Sequence, residues 1–148
     1  MRYLISQLKF HRQYKIARLL GSLIAEELAK QHELPEAIIP VPLHPKRYRE
    51  RHFNQSFEIA KTISAQLKLP LLTDYCIRQR NTVHQTQLSK NERLKNMRDA
   101  FGITTTIPAQ HVAILDDVMT TGSTLHELAA VLKKSGIQRV DAWVCARA

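Results

Sequence analysis

Apolar residues recur at helical spacing in several segments of the chain. One face of a helix predicted over residues 14–31 carries its large apolar side chains: Ile16, Leu20, Leu23, Ile24 and Leu28. Another helix begins at Asn54 or Ser56 and ends at Leu67, and a later one ends before Gly136, a residue typical of the position after a helix. Shorter helices are predicted over residues 3–10 and 89–97.

Four short apolar segments lie between these helices and are typical of strands: residues 37–41, 71–78, 111–116 and 139–146. Strands that alternate with helices indicate an α/β fold with a mainly parallel, twisted sheet and helices on both faces. We expect a single domain over residues 1–148, with N-terminal helices in 1–31, a sheet core in 37–148 and a flexible loop at about 79–98. In such sheets, ligands bind at the carboxyl ends of the strands.

The segment His111–Thr124 carries the most specific chemistry. A predicted strand runs into two carboxylates, Asp116 and Asp117, and then into a turn of small hydroxylated residues around one glycine: Thr120, Thr121, Gly122, Ser123 and Thr124. Amides, hydroxyls and a helix N-terminus favour a phosphate there, and glycine lets the backbone approach it. The carboxylates suit sugar hydroxyls or the waters around Mg²⁺. The pattern predicts a ligand with a phosphate and vicinal hydroxyls.

A purely structural interpretation of this turn is also available. Thr124 and Glu127 have the spacing of a capping box, which stabilises a helix without any ligand. Capping does not explain two carboxylates at a strand end, because each costs desolvation energy unless it has a partner. The turn lacks the lysine of a nucleotide P-loop, and the chain has no Gly-x-Gly-x-x-Gly motif. Helix capping and ligand binding are compatible here.

The net charge of +9 indicates an anionic partner, either a polyphosphate ligand or nucleic acid. Positive residues concentrate in the N-terminal segment, in a loop over residues 46–52 and in residues 78–98. Three prolines, Pro40, Pro42 and Pro45, make the turn before residues 46–52 stiff, and we expect them to exclude helix there.

Residues 112–124 resemble the ribose-phosphate loop of the type I phosphoribosyltransferases. The resemblance implies that Asp116 and Asp117 hold the ribose hydroxyls of phosphoribosyl pyrophosphate, and that residues 120–124 hold its 5′-phosphate. It implies that the turn after the first sheet strand meets the pyrophosphate, through Leu43, His44, Lys46 and Arg47, with Mg²⁺ bound through the ligand. A solvated basic turn is the alternative for these residues.

A second basic segment is implied to cover the site. Arg78, Arg80 and Arg93 lie where the relatives have a mobile hood that closes on pyrophosphate. Arg93 has the alternative of pairing with Glu92 or Asp99. His44 and His84 are weaker candidates, as general bases, because a histidine in a basic loop more often has a structural role.

Further segments narrow the resemblance to the ComF group of phosphoribosyltransferase-like proteins, which is linked to DNA uptake in natural transformation. These are residues 39–47, 51–55, 78–82 and 145–147, together with Gln85, Arg93, Asn96, Ala100 and Phe101. Relatives usually carry glycine where His52 stands, and this change restricts φ. They also usually begin with a four-cysteine zinc module, so we expect either a shortened form or a start that was placed late.

Two functions follow from the resemblance. In the first, the protein is an enzyme in which an unidentified nucleophile displaces pyrophosphate from C1 of the ribose. In the second, it is a catalytically silent member of the competence machinery that senses a phosphoribosyl ligand and contacts competence proteins or single-stranded DNA. Residues 46–53 interleave basic and aromatic side chains, as strand-binding grooves do, although Phe53 fits a core position better. The sequence does not define the oligomeric state, and a homo-oligomer is one possibility.

The cysteines and the hydropathy of the chain indicate its redox environment and its relation to membranes. Cys76 and Cys145 are far apart and outside any Cys-x-x-Cys pair, so we expect buried thiols rather than a zinc site or a disulfide. No apolar run reaches the length of a bilayer span, and no signal peptide is visible. These features predict a cytoplasmic protein that has no membrane partner.

Overall fold

The computed structural model describes residues 14–82 and 96–147. Their helices and strands, in chain order, are α1 (Tyr14–Leu28), β1 (Ala37–Pro40), α2 (Pro45–Arg51), α3 (Gln55–Leu67), β2 (Cys76–Arg78), β3 (Phe101–Ile103), β4 (His111–Met119), α4 (Ser123–Lys134) and β5 (Arg139–Arg147). The helix predicted over residues 3–10 lies outside the described residues, as does most of the one over 89–97. No helix in the described ranges has the length and apolar character needed to cross a bilayer.

A parallel three-stranded sheet in the order β1–β4–β5 forms the centre of the fold. The segment that follows α3 adds to the free edge of β1, where Ile38 forms a parallel bridge with Leu71. Strands β2 and β3 form a separate antiparallel pair. The mainly parallel sheet of an α/β protein is therefore confirmed.

Side chains that alternate along the central strands fill two cores, one on each face of the sheet. Ile38 and Leu115 pack against α1 and α3, whereas Ile39 and Ile114 pack against the leucines of α4. Successive residues of a strand point to opposite faces, which explains why both faces are apolar. The prediction that helices cover both faces is confirmed.

Helix α1 packs on α3 through small residues, and its predicted apolar stripe is partly wrong. Gly21 lies against Thr62 and the backbone of Ile59, and Ala17 and Ala25 are buried beside it. Leu23 points to solvent with 51% of its surface exposed. The helices approach closely where side chains are small. The face of α1 that contacts α3 is therefore rotated relative to the face that its large apolar residues predicted.

Helix α2 stands where the sequence predicted a loop without helix, so that prediction is wrong. Pro45 occupies the first helical turn, a position where proline is favoured because its missing N–H would have no helical partner. His44 before it is extended, as a residue preceding proline should be, and its Nδ1 accepts from the amide of Lys46 at 3.2 Å. The prolines therefore fix the start of a helix.

Three other boundaries differ from the prediction. Of residues 71–78, only Leu71 and β2 pair with other strands, and β2 pairs antiparallel. Strand β4 continues past Asp116 to Met119. Helix α4 has Gly122 as its N-cap without a side-chain cap, and Glu127 instead accepts from the amide of Asp99 at 2.8 Å, so the predicted capping box does not form.

His52 ends α2 in the left-handed conformation, with φ 50°. Glycine adopts this conformation without steric cost, whereas a residue with a Cβ is strained by about 1–2 kcal/mol. Because glycine also loses more entropy on folding, we expect His52→Gly to raise the free energy of unfolding by only about 0.5–1 kcal/mol. Chemical denaturation would measure this, and Lys68→Gly, at φ 56°, is a matched variant expected to behave alike. Destabilisation by both changes would contradict the strain.

Candidate functional site

The carboxyl ends of β1 and β4 lie side by side, because Pro40 is in register with Leu115. The start of α3 is tied to this edge by Asn54. Its Nδ2 donates to the carbonyl of Val41 at 3.1 Å, and its Oδ1 accepts from the amide of Phe57 at 3.3 Å, which caps the helix. The edge therefore brings together the turn after β1, the turn after β4 and a helix N-terminus.

Asp116 lies at this edge, half-buried, and its carboxylate is held from two sides. Oδ1 accepts from the hydroxyl of Ser56 at 3.1 Å and from the amide of Asp117 at 2.9 Å. Ser56, on the first turn of α3, is only 5% exposed. Two donors on one oxygen favour the ionised carboxylate and fix its direction. Ser56 was a candidate for the start of the helix, but its contact with Asp116 could not be predicted, because 60 residues separate the two.

Asp117 follows in β4 and therefore points to the other face of the strand. It is only 7% exposed, and its Oδ1 accepts from the amide of Val118 at 2.8 Å. Burial, and then the charges of Asp117 and Asp116, raise the pKa of Cys145 to about 12. A negative charge buried near a thiol keeps that thiol protonated.

The turn after β4 and Asp116 line one small cleft. The residues that share it with Asp116 include Thr120, Gly122, Ser123 and Thr124. Gly122 has φ 76°, and a Cβ there would meet only the side chain of Met119, at 3.6 Å. The turn therefore needs glycine for its conformation rather than to avoid crowding within the chain.

Thr121 is half-buried in the same turn and organises the start of α4. Its hydroxyl donates to the Oγ of the buried Ser123 at 3.1 Å. Asp116 and most of the hydroxylated turn are thus brought to one space, whereas Thr121 and Asp117 are not among the residues that line it.

Two arginines from distant segments meet at Thr82. Arg47, on the first turn of α2, donates from Nη2 to the carbonyl of Thr82 at 2.8 Å, and Arg78, at the end of β2, donates from Nη2 to its hydroxyl. The guanidinium of Arg78 also lies over the ring of Phe101, 5.7 Å from its centre. The family resemblance implied both arginines for the site but assigned no role to Thr82.

The electrostatics around Arg78 favour an anion. Burial, and next the charge of Arg47, lower the pKa of Arg78 to about 10, while Asp116 opposes the shift. Its Nε is buried and has no hydrogen-bond partner among the described residues. An anion placed beside the two guanidiniums would relieve their repulsion and satisfy a buried donor.

The other residues predicted for the site fall in three places. Leu43 lies in the turn after β1, and His44 caps α2. Lys46 is exposed on the first turn of α2, so both it and Arg47 belong to a helix and not to a loop. Arg93 and His84 lie outside the described residues. Cys76 is buried as predicted, Cys145 is half-buried, and both thiols are unpaired.

Comparisons with known proteins show which family the chain resembles. The pattern of the phosphoribosyl transferase domain matches residues 54–148. Competence protein F of Haemophilus influenzae is 37% identical, over 98% of this chain and 67% of that protein. DNA utilization protein YhgH of Escherichia coli K12 is 36% identical, over 97% of this chain and 66% of that protein. The chain thus spans about two thirds of the length of these relatives.

Solved structures share the fold at lower identity. Glutamine phosphoribosylpyrophosphate amidotransferase from B. subtilis superposes with a TM-score of 0.57 and 18% identity, over 87% of this chain and 26% of that one. Adenine phosphoribosyltransferase from Leishmania donovani gives a TM-score of 0.55 and 13% identity, over 93% of this chain and 55% of that one. These likenesses concern the fold alone.

Proposed function

Since this chain belongs to the phosphoribosyl transferase domain family and, within it, to the competence protein F group, we infer that it binds phosphoribosyl pyrophosphate with Mg²⁺ and transfers the phosphoribosyl group to a nucleophile. The observation that carries this proposal is the cleft that Asp116 shares with the turn after β4. A fixed carboxylate beside amides and hydroxyls at a helix N-terminus suits a sugar phosphate. The amides and hydroxyls can donate to the phosphate oxygens, and the carboxylate can accept from a sugar hydroxyl.

The 5′-phosphate and the ribose take adjacent places in this proposal. Thr120, Thr121, Gly122, Ser123 and Thr124 bind the phosphate with hydroxyls and amides. Asp116 accepts from a ribose hydroxyl, and Ser56 keeps its carboxylate aimed at the cleft. Asp117 is assigned to the ribose on the family resemblance, and its burial supports a role in setting the charge at this strand end.

The pyrophosphate takes the place beside the arginine pair. Arg47 and Arg78 are already held together by Thr82, so binding a diphosphate requires little reorganisation of their side chains. Leu43, His44 and Lys46 line the neighbouring turn and helix start. In this proposal, Arg93 would join from residues outside the described ranges.

The residues present fit a magnesium ion that arrives with the ligand. Within residues 14–82 and 96–147, no group of three histidines, cysteines or carboxylates could hold a metal ion. Mg²⁺ is typically held by one or two carboxylates together with substrate phosphates and waters, and Asp116 supplies one carboxylate in the cleft. The ion would neutralise diphosphate charge when bound.

The reaction that this arrangement supports is a displacement at C1 of the ribose. The bond from C1 to the pyrophosphate oxygen breaks, the acceptor forms its bond to C1, and C1 becomes cation-like between the two events. The chain's groups act by position and charge: the turn fixes the phosphate, Asp116 fixes the ribose, and the arginines stabilise the leaving diphosphate. No covalent intermediate with the protein is required.

A pyrophosphate-release assay tests this function. The protein would be supplied with phosphoribosyl pyrophosphate, Mg²⁺ and a panel of bases and amines, while calorimetry measures ligand binding in parallel. Release that depends on one acceptor supports the transferase. Binding without release from any acceptor supports the silent, ligand-sensing alternative, and absence of binding refutes both.

A role in DNA uptake is the second candidate, and the exposed basic surface of α2 favours it. Lys46 and Arg49 are exposed there, and relatives carry the names competence protein and DNA utilization protein. Binding to single-stranded DNA through phosphates would weaken steeply between about 50 and 200 mM salt. Lys46→Gln with Arg49→Gln should reduce that slope, whereas Lys133→Gln with Lys134→Gln, at the end of α4, is a charge-matched control. Salt-insensitive binding would contradict this role.

We also propose that the protein acts in the cytoplasm. The proposed ligand and the two unpaired thiols suit that compartment.

A further inference from the structure

Helix α1 carries an apolar stripe that points to solvent. Leu19 is 50% exposed and Leu23, one turn further along, is 51% exposed, although α1 buries its other face against α3 through Ala17 and Gly21. Ile16 lies one turn before Leu19 and is half-buried, so it extends the stripe. Large apolar side chains that are exposed together on one helix face are typical of a docking surface.

The chain enters α1 at the edge of the sheet that carries the candidate site. Tyr14, the first residue of α1, packs edge-on against Phe53, with ring centres 5.3 Å apart, and Phe53 directly precedes the Asn54 cap of α3. Residues 1–13 come before Tyr14 and lie outside the described residues. A segment that turns back at this point follows α1 away from that edge and passes beside the stripe.

Apolar residues in segment 1–13 have the same helical spacing as the stripe. Met1, Leu4, Ile5 and Leu8 follow the i, i+3, i+4, i+7 pattern, which places them on one face of a helix. The last three fall inside the helix that the sequence predicts over residues 3–10. An isolated helix this short is marginal in water, so its apolar face needs a partner surface in order to be stable.

An antiparallel return brings the two apolar faces into register. Connections between antiparallel helices commonly have about two to five residues, and residues 10–13 supply such a turn. With that turn, each apolar residue before it meets one that is equally distant after it: Leu8 with Ile16, Ile5 with Leu19, and Met1 with Leu23. A helix rises about 1.5 Å per residue, so residues 1–9 reach as far as Leu23, which lies at the end of the contact and is covered least.

A second copy of the chain is a poorer occupant of this face. Each copy has a net charge of +9, so two copies repel each other. Two stripes in contact would bury only Ile16, Leu19 and Leu23 from each copy, whereas a stable interface takes about 20–30 residues from each side. Residues 1–13 are already joined to Tyr14, so their docking avoids the loss of translational freedom that association costs.

We propose that residues 1–9 return along α1 as a helix and cover its apolar stripe, so that this face binds the chain's own N-terminal segment. The segment and α1 then form a helical hairpin, and its turn lies at the edge of the sheet that holds the candidate site. The hairpin is independent of the proposed function, because it involves neither the cleft of Asp116 nor the arginine pair.

Disulfide trapping in the full chain tests the proposal. Ile5→Cys combined with Leu19→Cys is expected to form a disulfide within one chain under mild oxidation, because facing positions of two packed helices come within disulfide reach. Ile5→Cys combined with Arg18→Cys is the matched control, since Arg18 is also exposed but points about 100° around the helix from Leu19. The first pair should give about tenfold more disulfide than the control. Non-reducing gels with peptide mass mapping measure both, and wild type gives the background from Cys76 and Cys145.

Hydrogen exchange supplies a second readout. The backbone amides of residues 5–9 are expected to exchange at least about tenfold more slowly than in a free peptide of residues 1–13, because docking protects the helix. Leu19→Gln should remove that protection, whereas Arg18→Gln should keep it. Both positions are exposed on α1, so neither change disturbs the core.

Several results would overturn the proposal. It fails if positions 18 and 19 give equal disulfide yields, or if residues 5–9 of wild type exchange as fast as the free peptide. It also fails if the disulfide links two chains, or if Leu19→Gln dissociates a dimer in sedimentation, since the face would then bind a second copy. Binding of phosphoribosyl pyrophosphate to Leu19→Gln is measured separately and should equal that of wild type, so failure of the hairpin and failure of the proposed function are distinguishable.

Discussion

Replacement of Asp116 by asparagine is expected to weaken the binding of phosphoribosyl pyrophosphate by about ten- to a hundredfold. The change keeps the size of the side chain but removes the charge that accepts from a ribose hydroxyl. Ser56 and the amide of Asp117 both donate to Oδ1, which asparagine keeps as its carbonyl oxygen, so the loss falls on the other oxygen, where an NH₂ donor replaces an acceptor. Isothermal titration calorimetry with Mg²⁺ present measures the loss.

Asp117→Asn should weaken the same binding, since the resemblance assigns both carboxylates to the ribose. Its burial adds a structural cost, so thermal denaturation must show that the variant is folded before its affinity is compared. Glu26→Gln, on the exposed face of α1, removes the same charge far from the site and is the control. Affinities equal to that of wild type in both aspartate variants would refute the assigned ribose site.

Gly21→Val is expected to lower the free energy of unfolding by about 2–3 kcal/mol, because it introduces a branched side chain where α1 packs on α3. A Cβ at this position would lie 2.6 Å from the Cβ of Thr62 and 2.9 Å from the carbonyl oxygen of Ile59. The carbonyl belongs to the backbone of α3 and cannot move without shifting the helix. Urea denaturation gives the change directly.

Leu23→Val is the matched control for this prediction. It introduces the same β-branched residue into the same helix at an exposed position, where we expect a loss of no more than about 0.5 kcal/mol. Equal effects of the two variants would show that helix propensity, and not the contact between α1 and α3, governs stability. Because Ser56 is carried by α3, Gly21→Val should also disturb the carboxylate of Asp116.

The elements that the sequence predicted well are those whose signals are local. Helix α3 was predicted to begin at Asn54 or Ser56 and to end at Leu67, and Asn54 is its cap, because the capping side chain and the apolar period act over a few residues. Phe53 is buried against Tyr14, as its apolar character indicated. The failure at α2 has a local origin too, since Pro45 is compatible with both a turn and a first helical position.

The turn after β4 is a contiguous motif, so its place beside Asp116 at a strand end could be predicted without tertiary information. The groups that direct its chemistry could not. Ser56 reaches Asp116 across 60 residues, and Thr82 joins Arg47 across 35. Such contacts depend on which strands are neighbours in the sheet. The sequence does not distinguish Ser56 and Thr82 from the many other polar residues that could have made these contacts.

Local patterns were enough to predict the α/β architecture, the order of its main elements and the position of the hydroxylated turn after β4, because hydrophobic period, capping and glycine conformation act between near neighbours. Long-range packing was needed to set which face of α1 is buried, which way each aspartate points and which arginines meet. Those outcomes depend on close packing and on charges brought together from distant segments, and their energies do not exist until the chain has folded.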